Sequence, residues 1–427
     1  MTETKDAVPA ENAAAADVDT IKRARSVEYN PFLACDLEQN LARMAEFRSG
    51  LGPIAYSTAG EGFWVATGYD EVVSVLRNNN KGFVSYPNNP FGEPKEAVAA
   101  SKRLIPIDLD GPEHRQYRKL LEPVFTPEHM NKLGPQIRKL ADDLIDDWIE
   151  AGTVDFINGF AFPFSATTVI LLMGWPLEDA DKMNHWVRTL QHGVKDGSEE
   201  DTVKAQIAAA AECRQYLIEM IQERKDKPAD DFTTMLMQIE INGRKLDDDE
   251  LFDTFLLLML AGLDTVQSVL AQTFAYLGRH QDKWDEMFAA PQTLDLAVEE
   301  FLRWTAPAPP TRNVTADYMI VGDVPVPKGE RVHCVIGAAN RDPKYYPNPD
   351  EVDFNRPGKP HLAFGLGPHR CIGIHLARLE IKIAFEQLRA RLPKFTLDET
   401  RPPVGHLGFA WGVDSVYLNF PPGQRLG

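Results

Sequence analysis

The sequence is short of positive charge: Lys and Arg total 45 against 63 Asp and Glu in 427 residues, a formal net charge of −18. A surface of that sign excludes nucleic acid and an anionic membrane as the main partner. Cysteine is scarce as well. Cys35, Cys213, Cys334 and Cys371 lie far apart with no CxxC pair, so neither a disulfide framework nor a zinc site is expected, and a reducing cytoplasm suits the chain. The first residues, Met1 to Asp19, are Ala-rich and acidic and lack the basic-then-apolar order of a signal peptide. They read as a disordered tail, drawn here as residues 1–25. Internal repeats and long Gly/Ser or Pro-rich linkers are also missing. One charge-free run, Phe156 to Leu177, is nominally long enough to span a bilayer. Pro163 and Pro176 interrupt it and Asn158, Ser165 and Thr167 dilute it, so the expectation is a buried helix around Phe164 to Met173 and no membrane partner.

What is present is a globular composition, 44% hydrophobic with 25% charged residues, ample for a large core. A length rule of about 150 residues per domain gives two or three domains, but nothing in the sequence marks a join. Helical patterns dominate. They fall at Asp70 to Asn78, Pro112 to Leu121, Pro135 to Glu150, Asp179 to His192, Thr202 to Lys225 and Leu294 to Trp304. The long helix, Asp248 to Gly278, begins beside four acids and is apolar on every side from Phe255 to Leu263. At about 1.5 Å per residue it runs roughly 45 Å, and a helix hydrophobic all round is a buried central rod. Short extended runs, Met319 to Val321 and Arg331 to Ile336, precede a last helix from about Ile372 to Leu392. The fold class expected is mainly α with a minor β region.

The most informative stretch is Phe364-Gly365-Leu366-Gly367-Pro368-His369-Arg370-Cys371-Ile372-Gly373, leading into a helix with Leu376-Ala377-Arg378-Leu379-Glu380. Two glycines allow a tight turn, and Cys371 falls where the helix begins, so backbone N–H groups and the helix dipole favour its thiolate. A thiolate in such a loop suits heme iron as an electron-donating axial ligand. The string resembles the heme-binding signature of the cytochrome P450 family, with Phe364, Gly365, Gly367, His369, Cys371 and Gly373 in place. For Cys35, Cys213 and Cys334 a buried free thiol is expected.

A second element is Ala261-Gly262-Leu263-Asp264-Thr265, in the middle of the long helix. A buried acid there is costly unless paired or solvated, and Thr265 can bond back to the carbonyl of Ala261 and open the helix. The pentapeptide is similar to the oxygen-binding groove of the same family, where the acid–alcohol pair passes protons. Its form, continuing to Val266, lies nearest to camphor-hydroxylase-like members. Glu300 and Arg303, one helical turn apart, would alone be a surface pair of little worth. The resemblance gives Glu300, Arg303 and Arg356 a folding role as a network behind the heme.

The resemblance extends from about Asp70 to the C-terminus and implies one cytochrome P450 domain over residues 26–427. It implies heme b bound by Cys371, with His114, Arg118, Arg312 and His369 as donors to the heme propionates, Phe364, Gly365 and Ala261 against the cofactor, and Asp264 and Thr265 as the catalytic proton relay. By the family's layout, Leu257, Leu260, Ala261, Pro309, Phe409 and Ala410 meet the substrate, under a lid made of Ser85 to Ile105 and the helices Asp179 to Lys225. The activity implied is a monooxygenase that puts one oxygen atom of O2 into a small hydrophobic molecule, terpenoid or aromatic. Electrons come from NAD(P)H through a reductase and an acidic ferredoxin, which docks on a basic patch including Arg115, Arg118, Lys119 and Arg370. The chain is expected to act as a monomer in the cytoplasm. A peroxide-driven peroxygenase and a non-catalytic heme sensor are the alternatives, and Asp264 with Thr265 speaks against both.

Overall fold

The computed structural model describes residues 18–32, 36–91, 103–194, 197–357 and 360–427. The expected tail lies mostly outside the described residues, and so does Cys35. Val18–Ala24, assigned to that tail from the sequence, forms the short helix α1 instead. The stretch between the helices read at Asp179 to His192 and Thr202 to Lys225, and the segment of the lid following Phe91, lie partly outside the described residues as well.

Helices make up most of the remainder. α2 (Leu37–Leu51) and α3 (Tyr69–Arg77) are followed by α4 (Gly111–Leu121), with Pro112 in its first turn, and α5 (Pro127–Asp146), capped by Thr126. α6 (Phe162–Met173) ends at Gly174, whose φ of 72° closes the helix in the left-handed region. α7 (Ala180–His192) and α8 (Glu199–Asp226) pack on one another, and α9 (Phe232–Gln238) leads to α10 (Asp248–Leu277). α11 (Gln281–Met287), α12 (Pro291–Thr305), α13 (Ile336–Ala339) and α14 (Ile374–Arg391) complete the set.

α10 is the central rod. Its start is fixed by a reciprocal cap in which Asp247 accepts from the Glu250 N–H and Glu250 accepts from the Asp247 N–H, both at 2.9 Å. It packs against α6, α8, α12 and α14, and its apolar side chains, with those of α5 and α6, build the main core. Phe274 is a hub there, stacked on Phe156 at 4.4 Å and near Phe395 and Trp284. Among the described residues α10 alone is long and apolar enough to cross a membrane, and 72% of its most apolar stretch is buried inside the molecule. The charge-free run at Phe156 to Leu177 becomes a π-helical turn, Ile157–Ala161, continuing into α6.

The β region is larger than its sequence signal. Six short strands form one mixed sheet in the order Ser26–Val27, Ile54–Ser57, Phe63–Ala66, Arg331–Cys334, Thr311–Val314 and Phe83–Val84. Its register sets Val332 against both Trp64 and Arg312. A second core of Trp64, Val332, Leu76 and Tyr346 lies between this sheet and α3. The sheet matters for the site, because it carries Arg312 into the interior.

Candidate active site

Cys371 precedes α14 by three residues, and its N–H donates to the Phe364 carbonyl at 2.9 Å, closing the loop. Gly365 and Gly367 hold φ of 66° and 73°, conformations that favour glycine. Their surroundings differ. A Cβ on Gly367 would lie 2.4 Å from the Leu76 carbonyl of α3, whereas one on Gly365 would meet only the His369 carbonyl at 4.0 Å. Gly367 is therefore required by packing and conformation, and Gly365 by conformation alone, with open space beside it. The Cys371 side chain is exposed, yet burial is the largest influence on its thiol and raises its pKa, against the Gly373 N–H and the guanidiniums of Arg118, Arg370 and Arg378. Exposure to an interior recess, with protein close on other sides, reconciles the two. Cys213 and Cys334 are buried, and burial pushes both thiols up to about 12.

Beside this loop lies a group of donors without enough acceptors. The His114 and His369 rings lie against one another with centroids 4.0 Å apart and planes inclined at 30°. Arg312 is 3% exposed, gives Nη1 to the Thr311 carbonyl at 2.7 Å and leaves Nε without a partner. His114 Nδ1 is likewise buried and unpartnered. Burial, then the charges of His369 and Arg118, depress the His114 pKa to about 3, so the ring is neutral. A buried guanidinium with one backbone acceptor is costly unless an anion completes it. Arg118 donates Nη1 to the Arg370 carbonyl at 2.9 Å, one residue from Cys371, and pairs with Glu122 at 3.2 Å. His369 commits Nε2 to the Asp110 carboxylate at 3.2 Å. Asp110 also accepts from Asn79 at 2.7 Å and from the Ser85 N–H at 2.8 Å, bonds that outweigh its burial and hold its pKa below the usual value.

Glu300, Arg303 and Arg356 meet in the interior. Arg303 grips Glu300 with Nε and Nη2, each at 2.8 Å, and gives its remaining hydrogens to the carbonyls of Asn340, Pro349 and Glu351. Arg356 Nε reaches Glu300 Oε1 at 3.0 Å. With side chains 3–7% exposed, this is a satisfied buried ion cluster, of the kind that fixes one arrangement and is costly to break.

On α10, Thr265 Oγ1 donates to the Ala261 carbonyl at 3.0 Å. The opening of the helix expected from that bond does not occur, since α10 runs unbroken from Asp248 to Leu277 and the Ala261 carbonyl takes the hydroxyl as an added donor. Two nearby carbonyls are also engaged: Gln191 of α7 donates to Leu260 at 3.1 Å and Ser165 of α6 to Leu263 at 3.0 Å. In the middle of this buried helix Ala261 is exposed, with Leu260, Gly262 and Thr265 half-buried around it, so this patch faces an interior space. Asp264 is 4% exposed. Arg188 of α7, its pKa lowered by burial, is supported by the charges of Asp155 and Asp264.

A family model described as cytochrome P450 matches residues 200–404. Over 373 residues the chain is 33% identical to a probable cytochrome P450 127A1 of Sinorhizobium fredii, covering 86% of this chain and 87% of that protein. The chain belongs to the cytochrome P450 family. This P450 is also 31% identical over 318 residues to a steroid C26-monooxygenase of Mycolicibacterium smegmatis, covering 74% of this chain and 79% of that protein. The crystal structure of CYP101J2 superposes with a TM-score of 0.79 at 27% identity, covering 99% of this chain and all of that one. The architecture above is thus the single-domain P450 fold, the chain is an oxidoreductase of the monooxygenase type, and the family's cofactor is heme held by a cysteine thiolate.

The residues present fit that group. Cys371 offers sulfur to a recess at a helix start, while Arg312 and His114 hold unpaired polar atoms suited to carboxylates. The residues assigned to substrate do not share one environment: Leu257 and Ala410 are buried, Leu260 and Pro309 half-buried, and Phe409 is 57% exposed with its ring 5.4 Å from Phe32. Asp110, Arg188 and Glu299 escaped the sequence reading. An aspartate one residue before the Gly-Pro helix start was the available signal for the first, and the other two had none.

Proposed function

We propose that this P450 is a ferredoxin-dependent monooxygenase of the three-component, camphor-hydroxylase-like type, folded as one domain over residues 26–427. It acts as a cytoplasmic monomer and inserts one oxygen atom of O2 into a small apolar substrate of the terpenoid or aromatic class. The observation that carries this reading is the Asp264–Thr265 pair on a continuous buried helix, with Thr265 Oγ1 beside the exposed Ala261 and Arg188 within electrostatic reach of Asp264. A binding protein needs no acid–alcohol pair in its core, and neither does peroxide chemistry.

Cys371 would give heme its thiolate, and Arg312, His114 and Arg118 would hold the heme carboxylates. His369 stiffens the loop through Asp110 and would present its ring to the same carboxylates. Bound heme supplies the dioxygen activation, and the polypeptide supplies binding, orientation and proton delivery. Asp264 passes a proton toward Thr265, whose hydroxyl holds it at Oγ1 on the side of the recess. Leu257, Leu260, Ala261, Pro309, Ala410 and, at the rim, Phe409 exclude water and orient the apolar substrate. Glu300, Arg303 and Arg356 hold the fold behind the site. Exposed Arg115, Lys119 and Arg370, with Arg118 pinned between them and the Cys loop, form the basic face for an acidic ferredoxin.

The test is twofold. The reduced protein under carbon monoxide gives the thiolate-type absorption band, and Cys371→Ala abolishes it. Thr265→Ala keeps the band and lowers product formed per electron consumed by roughly tenfold, in line with loss of general acid catalysis. Unchanged product yield in Thr265→Ala, or peroxide-driven turnover equal to ferredoxin-driven turnover, refutes the relay.

A further inference from the structure

α12 carries two consecutive glutamates with different destinations. Glu300 turns inward to Arg303 and Arg356, while Glu299 reaches His361 and Arg378, which flank the Cys loop on either side. Glu299 takes Arg378 of α14 in a bidentate grip, Nε to Oε1 at 2.5 Å and Nη2 to Oε2 at 2.7 Å. It also accepts from His361 Nε2 at 3.1 Å. The tautomer of His361 follows from its other nitrogen, since Nδ1 accepts the Ala363 N–H at 3.2 Å and the proton must sit on Nε2. Both partners of Glu299 then converge on one residue. The Arg378 guanidinium stands 4.8 Å from the Phe364 ring centroid and the His361 ring 6.0 Å from it. The Phe364 carbonyl is the acceptor of the Cys371 N–H.

We propose that Glu299 is a positioning residue for the Cys371 ligand, fixing Phe364 through Arg378 and His361 so that the loop holds the sulfur in one place. The inference rests on the reading of Cys371 as the axial thiolate. The geometry favours it over a simple tie between helices, because α12 and α14 already have one: Lys382 Nζ meets Asp295 Oδ1 at 2.5 Å without touching the loop. Glu299 differs in adding His361 and in bracketing Phe364. Though burial opposes it, the His361 and Arg378 contacts hold the Glu299 carboxyl down to about 2, so the grip persists across the working pH range.

The experiment follows the carbon-monoxide difference spectrum of purified, heme-loaded protein during mild heating, and reads the rate at which the thiolate-type band gives way to the shorter-wavelength band of a lost thiolate. Glu299→Ala is expected to speed that loss about tenfold, the effect of one charge-assisted bidentate contact. Glu299→Gln, which keeps an acceptor for Arg378, falls between, and Asp295→Asn stays within about twofold of wild type. If Glu299→Ala yields no heme-loaded protein, His361→Gln and Glu299→Gln give the same readout from a single weakened arm. Wild-type decay in the Glu299 and His361 variants overturns the proposal, as does equal acceleration by Asp295→Asn. A wild-type protein lacking the thiolate-type band, or Cys371→Ala retaining it, would instead strike the axial-ligand reading itself.

Discussion

Glu380 sits on α14 with its carboxyl sealed from water, Oε2 unpartnered, and burial driving its pKa well above the usual 4.5. Burial therefore disfavours the charged form of this acid in the folded protein. With the folded value raised, its contribution to stability is complete below the unfolded value and is lost as pH climbs toward the folded one, because the unfolded chain ionises first. Glu380→Gln removes that ionisation. Thermal unfolding should show the variant and wild type nearly together near pH 4.5 and the variant ahead by about 1–3 kcal/mol at neutral pH and above. Parallel curves across the range would mean that Glu380 ionises freely. Such side chains also mark what the sequence could convey at this scale. Cys371, His369 and the two glycines were legible because their chemistry depends on near neighbours in a ten-residue loop. That His369 would bond Asp110, that Glu299 would hold His361, and that Glu380 would lack a partner depended on residues brought together from distant segments, and no local pattern encodes those choices.

At the scale of elements, α10 was readable from its acids and its apolar centre, but its fit against α6 was not. Gly262 has no special backbone conformation. Its role is spatial, since a Cβ there would lie 2.5 Å from Val169 Cγ2. Gly262→Ala gains about 1 kcal/mol of helix propensity and strains the contact by about 1–3 kcal/mol, a net loss of stability. Val169→Ala removes the obstructing methyl, so the double variant should recover most of the loss. Additive losses in a double-mutant cycle would show that the two residues do not press on one another. Other boundaries moved for identifiable reasons. α5 begins at Pro127, eight residues before the start read at Pro135, because either proline can occupy a first turn and packing against α14 keeps Pro135 inside the helix. Of the six-stranded sheet the run read at Arg331 to Ile336 covered one strand, Arg331–Cys334; the other five stayed hidden because they are two to four residues long and pair across the chain, as Trp64 does with Val332.

For the whole molecule, the formal charge of −18 has to be reconciled with the acidic electron donor proposed for it. Net repulsion acts over the full surface but is screened beyond about 10 Å at moderate salt, so a compact basic face can still dominate the encounter. α4 presents Arg115 and Lys119 outward, while Arg118 is turned toward the Arg370 carbonyl and Glu122. Arg115→Glu and Lys119→Glu each move the net charge by two, from −18 to −20, as does Lys328→Glu in an exposed turn of another element. If the patch steers the donor, the second-order rate of reduction by an acidic ferredoxin falls roughly tenfold at low salt for either α4 variant and becomes less sensitive to ionic strength. Lys328→Glu then stays within about twofold of wild type. Equal losses in all three variants would make the effect one of overall charge and would move the docking face away from α4.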